Sequence, residues 1–408
     1  MRRLGVCLAL GVIAGCAGQA DPRGATGRSR IQIDPNTFDF AANPRVLERI
    51  LQSPFGYFRF INRQFSQRVC QEFGEDLRSL PKVNLHGDAH LEQYAVTSRS
   101  RGLTDFDDST TGPFVLDLVR FGVSIYLAAQ HRDWEEQARD MYLVFLDGYR
   151  AGLTDAEFVV PEPAFAARLR SQFVEDREAF LDFASHVVVP IPDDQRDRLI
   201  QALVPTFQRM VENESNGAND AAFFEVISIG RLGLGIGSAL DDKYLVRVQG
   251  RTTDPGDDVI LELKEVRDLG GISCIDDATR VDPFRILLGQ SRIAYAPYDF
   301  VGYVRLETKT YWIHSWVINY QELDVDQVVQ QPVELAEVVF DVGVQLGRGH
   351  PNQIASPMDD ELRGALLDAL SDLRPHLIET VERLTEEVVE SWRVFGRKVG
   401  KTPTEPPP

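Results

Sequence analysis

The strongest constraint on the fold is a change in the spacing of apolar residues along the chain. They recur at helical spacing over residues 34–74 and 114–213, whereas over residues 223–318 they alternate with polar residues, as in β-strands. Helical spacing returns from residue 333 to residue 395. The chain is therefore predicted to be an α+β protein, in which a small antiparallel sheet with one helix is inserted between helical segments. The strands of this sheet are predicted at residues 223–229, 244–248, 259–264, 298–304 and 311–318, and its helix near residues 283–293.

Short strands are also predicted within the first helical part. Residues 83–85 form a brief apolar run, and residues 94–97 and 103–106 flank the turn sequence Arg-Ser-Arg-Gly. Residues 213–217 are polar and turn-rich. They are the best candidate for an internal boundary between the helical part and the sheet.

The charge of the chain excludes some partners. Its formal net charge is −19, so its surface repels nucleic acid and anionic lipid headgroups. We therefore expect a small-molecule ligand and no nucleic acid. Beyond the N-terminus, no stretch approaches the roughly eighteen consecutive apolar residues of a membrane-spanning helix.

The N-terminus has the parts of an export signal: a basic start, an apolar run over residues 4–13, and small residues before Cys16. Residues 13–16, Ile-Ala-Gly-Cys, resemble the lipobox of bacterial lipoproteins. The resemblance implies that lipid on Cys16 anchors the protein to a membrane, outside the cytoplasm. The alternative is an ordinary secretory signal cleaved after Ala17 or Ala20, which also predicts export.

Two cysteines remain after Cys7 and Cys16 are assigned to this N-terminal segment. Cys70 and Cys274 can pair in an oxidising compartment, or each can be buried separately as a thiol. Both possibilities stay open. No Cys-x-x-Cys motif or Cys/His cluster indicates a zinc site.

The densest group of chemically active residues is acidic. His86-Gly87-Asp88-Ala89-His90 follows a predicted strand, and Asp105-Phe106-Asp107-Asp108 lies on the next hairpin. Carboxylates on adjoining turns can bind Mg²⁺ or Mn²⁺ through hard oxygen ligands. The alternative is that these aspartates are turn residues or helix caps.

A second group combines glycines with a lysine. Glycines at 230, 233, 235 and 237 lie between two predicted strands. Without side chains, their backbone can approach a phosphate closely. The alternative is that they form a simple β-bulge or turn. Lys264 follows in an otherwise apolar strand. A buried ammonium requires an anionic partner, which is either a phosphate under the glycines or a carboxylate.

Several segments together resemble the bacterial domain-of-unknown-function 2252 family. The match runs from about residue 44 to residue 350, and its motifs are Ser53-Pro54-Phe55-Gly56-Tyr57-Phe58-Arg59, His86-Gly87-Asp88-Ala89-His90-Leu91-Glu92, Asp105-Phe106-Asp107-Asp108, Gly112-Pro113, Asp117-Leu118-Val119-Arg120 and Leu263-Lys264-Glu265. That family in turn resembles the aminoglycoside-phosphotransferase and protein-kinase-like fold, with a small antiparallel β-lobe and a mostly helical large lobe.

The resemblance implies roles for single residues. Asp88 matches the catalytic-loop aspartate that acts on an acceptor hydroxyl, with His86 and His90 beside it in the same motif. Asp105 matches the metal-binding aspartate, with Asp107 a second ligand. Gly233, Gly235 and Gly237 match the loop that covers the phosphates, and Lys264 the lysine that holds them. ATP or another phosphoryl donor is implied.

The chain departs from the kinase pattern in three ways. Gln93 stands where asparagine supplies the second metal ligand. The catalytic and metal segments precede the glycines and Lys264, so a shared fold would be circularly permuted, with the helix ending at Gly349 beside the catalytic loop. No glutamate partner for Lys264 is identifiable, because Glu265 points to the opposite face of its strand.

These observations predict a division of the chain and leave three functions open. The predicted segments are residues 1–15, a lipoprotein signal peptide; 16–40, a flexible tether; 41–215, the first part of the large lobe; 216–325, the small β-lobe; 326–400, the second part of the large lobe; and 401–408, a disordered tail.

The leading function is a metal-dependent phosphotransferase. The alternatives are a catalytically inactive nucleotide- or small-ligand-binding protein on the same fold, and a metal-dependent hydrolase with His86, Asp88, His90 and Asp107 as ligands.

Overall fold

A computed structural model describes most of the chain: residues 31–41, 43–214, 223–233, 241–276, 281–325, 327–354 and 359–401. The predicted signal peptide, Cys16 and most of the predicted tether lie outside the described residues. So do Gly235, Gly237 and nearly all of the predicted tail.

Eleven α-helices are present in the described residues. They are α1 Pro44–Gln52, α2 Pro54–Phe60, α3 Asn62–Phe73, α4 Val115–His131, α5 Glu135–Thr154, α6 Ala164–Arg170, α7 Arg177–His186, α8 Asp193–Glu214, α9 Pro283–Ile293, α10 Pro332–Gly349 and α11 Asp359–Lys398. Proline at the first position starts α1, α2, α9 and α10, where its missing N–H costs no hydrogen bond. None of the described helices is long and apolar enough to cross a membrane.

The described strands form three antiparallel sheets. The strands are β1 Lys82–Leu85, β2 Tyr94–Val96, β3 Arg101–Leu103, β4 Thr110–Pro113, β5 Val188–Val189, β6 Val226–Leu232, β7 Lys243–Val248, β8 Val259–Glu265, β9 Gly302–Leu306, β10 Lys309–Ser315 and β11 Gln321–Glu322. The largest sheet has the order β5-β6-β7-β8-β10-β9. The predicted α+β class with a small antiparallel sheet is confirmed.

The helical part is organised around α4, which is buried along almost its whole length. Helices α5 and α10 cross at unusually close range, because glycines leave room for the neighbouring backbone. A Cβ at Gly148 would lie 2.4 Å from the Phe340 carbonyl oxygen, and one at Gly343 would lie 2.2 Å from that of Phe145. This packing fixes the C-terminal end of α10 beside β1, where Asn84 donates its backbone N–H to the His350 carbonyl at 3.0 Å.

The six-stranded sheet has its larger apolar core on one face. Leu261 and Leu263 of β8 pack with Leu199 and Leu203 of α8, in a core that also includes Tyr311. Alternation places Glu262 and Lys264 on the opposite face. The sheet therefore presents a row of functional side chains away from its own core.

The lobe boundary differs from the prediction, which placed residues up to 215 in the large lobe. Helix α8 packs on the sheet, and Leu181 and Ala184 of α7 lie in a cluster with Leu245 and Ile260. The two helices therefore belong with the β-strands, and the boundary lies nearer residue 177. Helical spacing shows that a face is buried, but it does not show which element buries it.

Strand ends also differ from the prediction, and the strand predicted at residues 103–106 is instead β3 Arg101–Leu103. The strand predicted at residues 223–229 begins only at Val226, because Phe224 adopts a positive φ of 69° and packs in the core as a turn. The strand predicted at residues 298–304 begins at Gly302. Apolar turn residues were read as strand because burial alone does not distinguish the two.

Cys70 and Cys274 form a disulfide, with their Cα atoms 5.6 Å apart. The bond resolves the two possibilities left open by the sequence. Cys70 lies on α3 in the helical part, whereas Cys274 lies in the segment that follows β8. The bond joins positions 204 residues apart and thus ties the end of the sheet to the helical part.

We expect the loss of this disulfide to destabilise the protein. A cross-link closing so long a loop restricts the unfolded chain, which is worth up to about 5 kcal/mol in the chain-entropy account. Urea unfolding of Cys70→Ser/Cys274→Ser should have a lower midpoint than that of the wild type. A reductant should lower the wild-type midpoint and leave that of the double variant unchanged; equal wild-type midpoints with and without reductant would contradict the expectation.

Candidate functional site

The turn after β1 is held rigidly by Asp117 in the first turn of α4. Its carboxylate accepts hydrogen bonds from the backbone N–H of His86 at 2.7 Å and of Gly87 at 2.9 Å, and lies 3.1 Å from His350 Nε2. Burial opposes the charge, but His350 and the backbone donors outweigh it and lower the pKa of Asp117. Gly87 has a φ of 83°, and a Cβ there would lie 2.0 Å from the Asp108 carbonyl oxygen. Glycine is therefore required at this turn, which aims Asp88 into a cavity.

The two histidines of the turn have different surroundings. His86 Nε2 lies 2.8 Å from the Thr104 carbonyl oxygen, and the Asp88 backbone N–H donates to His86 Nδ1 at 3.3 Å. Both ring nitrogens are thus engaged by backbone groups. His90 Nε2 lies 3.8 Å from Asp88 Oδ2, and His90 Nδ1 has no hydrogen-bond partner within the described residues. Burial lowers the pKa of both rings, so both are neutral at physiological pH.

Asp88 forms a buried ion pair with Arg120 of α4. Arg120 Nε and Nη2 lie 2.6 and 2.5 Å from Asp88 Oδ1. The guanidinium also lies 4.1 Å from the ring centroid of Phe58 and donates to the Phe58 carbonyl. Burial raises the pKa of Asp88 to about 7, although Arg120 acts in the opposite direction. Arg120 thus occupies one carboxylate oxygen, and the other lies toward His90.

Lys264 lies between the two aspartates of the acidic hairpin. Its Nζ is 2.5 Å from Asp105 Oδ1 and 2.7 Å from Asp107 Oδ2. The second oxygen of Asp107 accepts from Trp312 Nε1 at 2.7 Å. The structure therefore brings together segments separated by 159 residues, and the anionic partner of Lys264 is a pair of carboxylates. Glu265 lies on the other face, as alternation predicts, and pairs with Lys309.

The charges of this triad are strongly coupled. Burial opposes the charge on Asp105, but Lys264 and Lys243 outweigh it and hold the pKa of Asp105 well below its usual range. Burial and the neighbouring Asp105 carboxylate raise the pKa of Asp107 to about 6. Burial also opposes the ammonium, but the two carboxylates raise the pKa of Lys264 well above its ordinary value. Asp105 has a positive φ of 57°, a conformation rare outside glycine and often found at functional sites.

The sequence did not indicate the side chains that hold the acidic hairpin in place. Arg285 Nη1 of α9 donates to the backbone carbonyls of Asp107 at 2.6 Å and Ser109 at 2.8 Å. Arg267 Nη1 lies 3.2 Å from Asp108 Oδ2. Asn62 of α3 donates to that same oxygen at 3.1 Å. These residues come from three distant segments, and no local pattern marks them.

Two cavities adjoin at the triad. A cavity of about 520 Å³ is lined by Lys264, Glu262 and several aromatic side chains. A cavity of about 690 Å³ is lined by Asp88, His90 and Gln93. Asp105, Lys243 and Glu322 line both. A ligand in one cavity would therefore meet a ligand in the other near Asp105.

The other predicted ligand residues that the structure describes, Gln93 and Gly233, use backbone groups to bond to neighbouring segments. Gln93 is buried, and its backbone carbonyl accepts the Thr104 N–H at 2.8 Å. The Gly233 N–H donates to the Val187 carbonyl at 3.1 Å. No group of three or more His, Cys, Asp or Glu side chains in the described part of the chain is arranged to hold a metal ion. The four-residue ligand set of the hydrolase alternative is therefore not assembled.

Comparison with known proteins gives a family. The family model described as "Uncharacterized protein conserved in bacteria (DUF2252)" matches residues 41–177 and 164–398. No curated protein and no solved structure matches the chain.

We expect Arg120→Leu to destabilise the protein severely, by about 3 to 5 kcal/mol, because it leaves the Asp88 carboxylate buried without its partner. The control is Arg139→Leu, since Arg139 forms an exposed ion pair with Glu382 at 3.2 Å and should cost less than about 1 kcal/mol. Chemical denaturation measures both. Adding Asp88→Asn to Arg120→Leu should recover part of the loss; equal costs for the two arginines would contradict the expectation.

Proposed function

The chain belongs to the DUF2252 family of uncharacterized bacterial proteins, and we propose that it is a metal-dependent phosphotransferase on a circularly permuted, kinase-like fold. The observation that carries the proposal is the meeting of Lys264, Asp105 and Asp107 where two cavities adjoin. Such an arrangement would set a cation and two hard anionic ligands between a donor and an acceptor. The acceptor is a hydroxyl compound whose identity the proposal leaves open.

The donor would bind in the 520 Å³ cavity. Lys243 lies directly opposite Lys264 on the neighbouring strand, and both line this cavity. Lys264 is charged and already pairs with anionic oxygens, so phosphate oxygens can replace a carboxylate as its partner. Phosphoryl transfer depends mainly on positioning and on neutralising charge, which two lysines supply.

The acceptor would bind in the 690 Å³ cavity, where Asp88 acts on its hydroxyl. Arg120 holds one Asp88 oxygen and orients the carboxylate. The other oxygen can accept the proton of a hydroxyl within hydrogen-bond reach. Because Asp105 lines both cavities, the hydroxyl and the phosphoryl group would meet beside Asp105.

Asp105 and Asp107 fit a hard divalent cation, with Gln93 a further ligand. Mg²⁺ in such enzymes is commonly held by one or two carboxylates together with the substrate phosphates, so a cluster of three acidic residues is not required. When bound, Mg²⁺ or Mn²⁺ would neutralise phosphate charge. Asp105 and Asp107 would hold the metal once Lys264 has exchanged them for phosphate, which would couple metal binding to donor binding.

We place the protein outside the cytoplasm, anchored by lipid on Cys16. The disulfide supports this location, because disulfides persist in oxidising compartments. Such a location lacks an obvious ATP supply, so a phosphoryl compound other than ATP is the alternative donor, or the site only binds its ligand.

Two observations favour an inactive, ligand-binding protein as the second candidate. Lys264 already neutralises both metal ligands, and Gln93 replaces the asparagine of the kinase pattern. The same cavities would then bind a phosphorylated ligand without turnover.

We expect Mg²⁺ with ATP to stabilise the wild-type protein, and Lys264→Met to abolish the effect. A ligand at about one hundred times its Kd adds about 2.7 kcal/mol, which is measurable as a rise in melting temperature. Lys82→Met is the control, since Lys82 forms an exposed ion pair with Asp276 away from the two cavities. Circular dichroism establishes that Lys264→Met is folded, and Lys264→Arg should retain part of the response. A wild type that responds to no phosphorylated donor would refute the proposal.

We expect phosphate release from the donor, with water as acceptor, to rise with pH and to level off above about pH 7. Asp88 accepts a proton only when ionised, and its pKa is raised to about 7. Asp88→Asn should bind the donor with Mg²⁺ as the wild type does and release no phosphate above background. Binding without turnover in the wild type would support the inactive alternative, and full activity in Asp88→Asn would remove Asp88 from the mechanism.

A further inference from the structure

We propose that the 520 Å³ cavity clamps a flat aromatic ring between Phe183 and Trp316, so that its ligand is a nucleoside phosphate rather than an inorganic polyphosphate. The proposal rests on the proposed function and specifies the chemical class of the donor. It concerns α7, which has no part in the motifs that indicated the site. The observation that supports this proposal is that the two rings lie beside each other on the wall of the cavity.

The two rings are near-parallel, as the walls of a stacking pocket are. Their centroids are 6.4 Å apart and their planes differ by 22°. Carbon atoms of stacked rings lie about 3.5 Å apart, so a ring inserted between two others needs about 7 Å. The ring planes are no farther apart than the centroids, so the rings must separate by at least about half an ångström to admit a nucleobase.

Trp316 forms the fixed side of the clamp. Its indole Nε1 donates to Glu262 Oε2 at 2.7 Å, and its backbone N–H donates to the Ile260 carbonyl at 2.7 Å. Glu262 is a buried carboxylate two residues before Lys264, on the same face of β8. The strand thus fixes the indole and the phosphate-binding lysine relative to each other, as a ligand with a ring at one end and phosphates at the other requires.

Phe183 forms the exposed side. Its side chain is 51% exposed although it lines a cavity, so an inserted ring would bury apolar surface that now meets water. The N-terminal end of α7 is held by Asp176, which caps the Ala179 N–H at 2.9 Å, and by Arg177, which donates to the Gly256 carbonyl at 2.9 Å. The helix is therefore anchored to the sheet while presenting a free aromatic face.

The chain offers a matched control for this ring. Phe284 of α9 is also 51% exposed, but it lines neither of the two cavities. Simple aromatic pairing between Phe183 and Trp316 is the competing explanation, because pairs with centroids about 4.5 to 7 Å apart are common. Such a pair would make no difference to ligand affinity.

The test compares the binding of Mg²⁺ complexes of ATP, GTP and tripolyphosphate by titration calorimetry. Phe183→Ala should weaken both nucleotides by about 5- to 100-fold, in line with base-stacking contributions, and leave tripolyphosphate unchanged. Phe284→Ala should change none of the three. Lys264→Met should weaken all three, because each carries the phosphates.

Trp316 supplies a second readout. Nucleotides should quench part of the tryptophan fluorescence, and Trp316→Phe should remove that part while retaining some affinity, because it keeps a ring. Equal nucleotide affinity in the wild type and Phe183→Ala would overturn the clamp and leave the phosphotransferase proposal standing. Binding of tripolyphosphate without nucleotides would overturn the clamp and make the donor inorganic. If none of the three binds, both proposals fail.

Discussion

A single buried ammonium, that of Lys264, must be neutralised, and the rest of the site depends on how this is done. A buried charge without a partner raises the free energy of the folded state by more than a complete ion pair lowers it. The lysine and its two carboxylates must therefore stay together. Asp105 and Asp107 supply those anions from the other side of the cleft. The pairing forces a strand of the large sheet and the acidic hairpin of the helical part to face each other.

Arginines extend this constraint to the neighbouring segments. Arg285 holds the hairpin backbone from α9, and Arg267 bridges Asp108 and Asp241. Arg120, on the buried helix α4, neutralises the charge of Asp88. Positive side chains thus alternate with carboxylates across the cleft. An overall acidic protein can in this way keep positive side chains together at a buried site, because local arrangement and not net charge determines the field at a site.

The sequence predicted those parts of the structure that local signals specify. Helix α9 was predicted at its observed ends, because Asp282 caps it and Pro283 starts it. The need of Lys264 for an anion followed from its place in an apolar strand. The choice between phosphate and carboxylate did not follow, nor did the partnership of Asp88 with Arg120, since such pairs depend on three-dimensional packing. The assignment of α7 and α8 to the sheet was missed for the same reason.

The disulfide joins the two walls of the site itself. Cys70 shares α3 with Asn62, which supports the acidic hairpin, and Cys274 follows Arg267 in the segment after the lysine strand. A newly made copy in the reducing cytoplasm would lack this bond. If the chain is exported as proposed, oxidation of this cysteine pair outside the cytoplasm would act as a maturation step that locks the cleft.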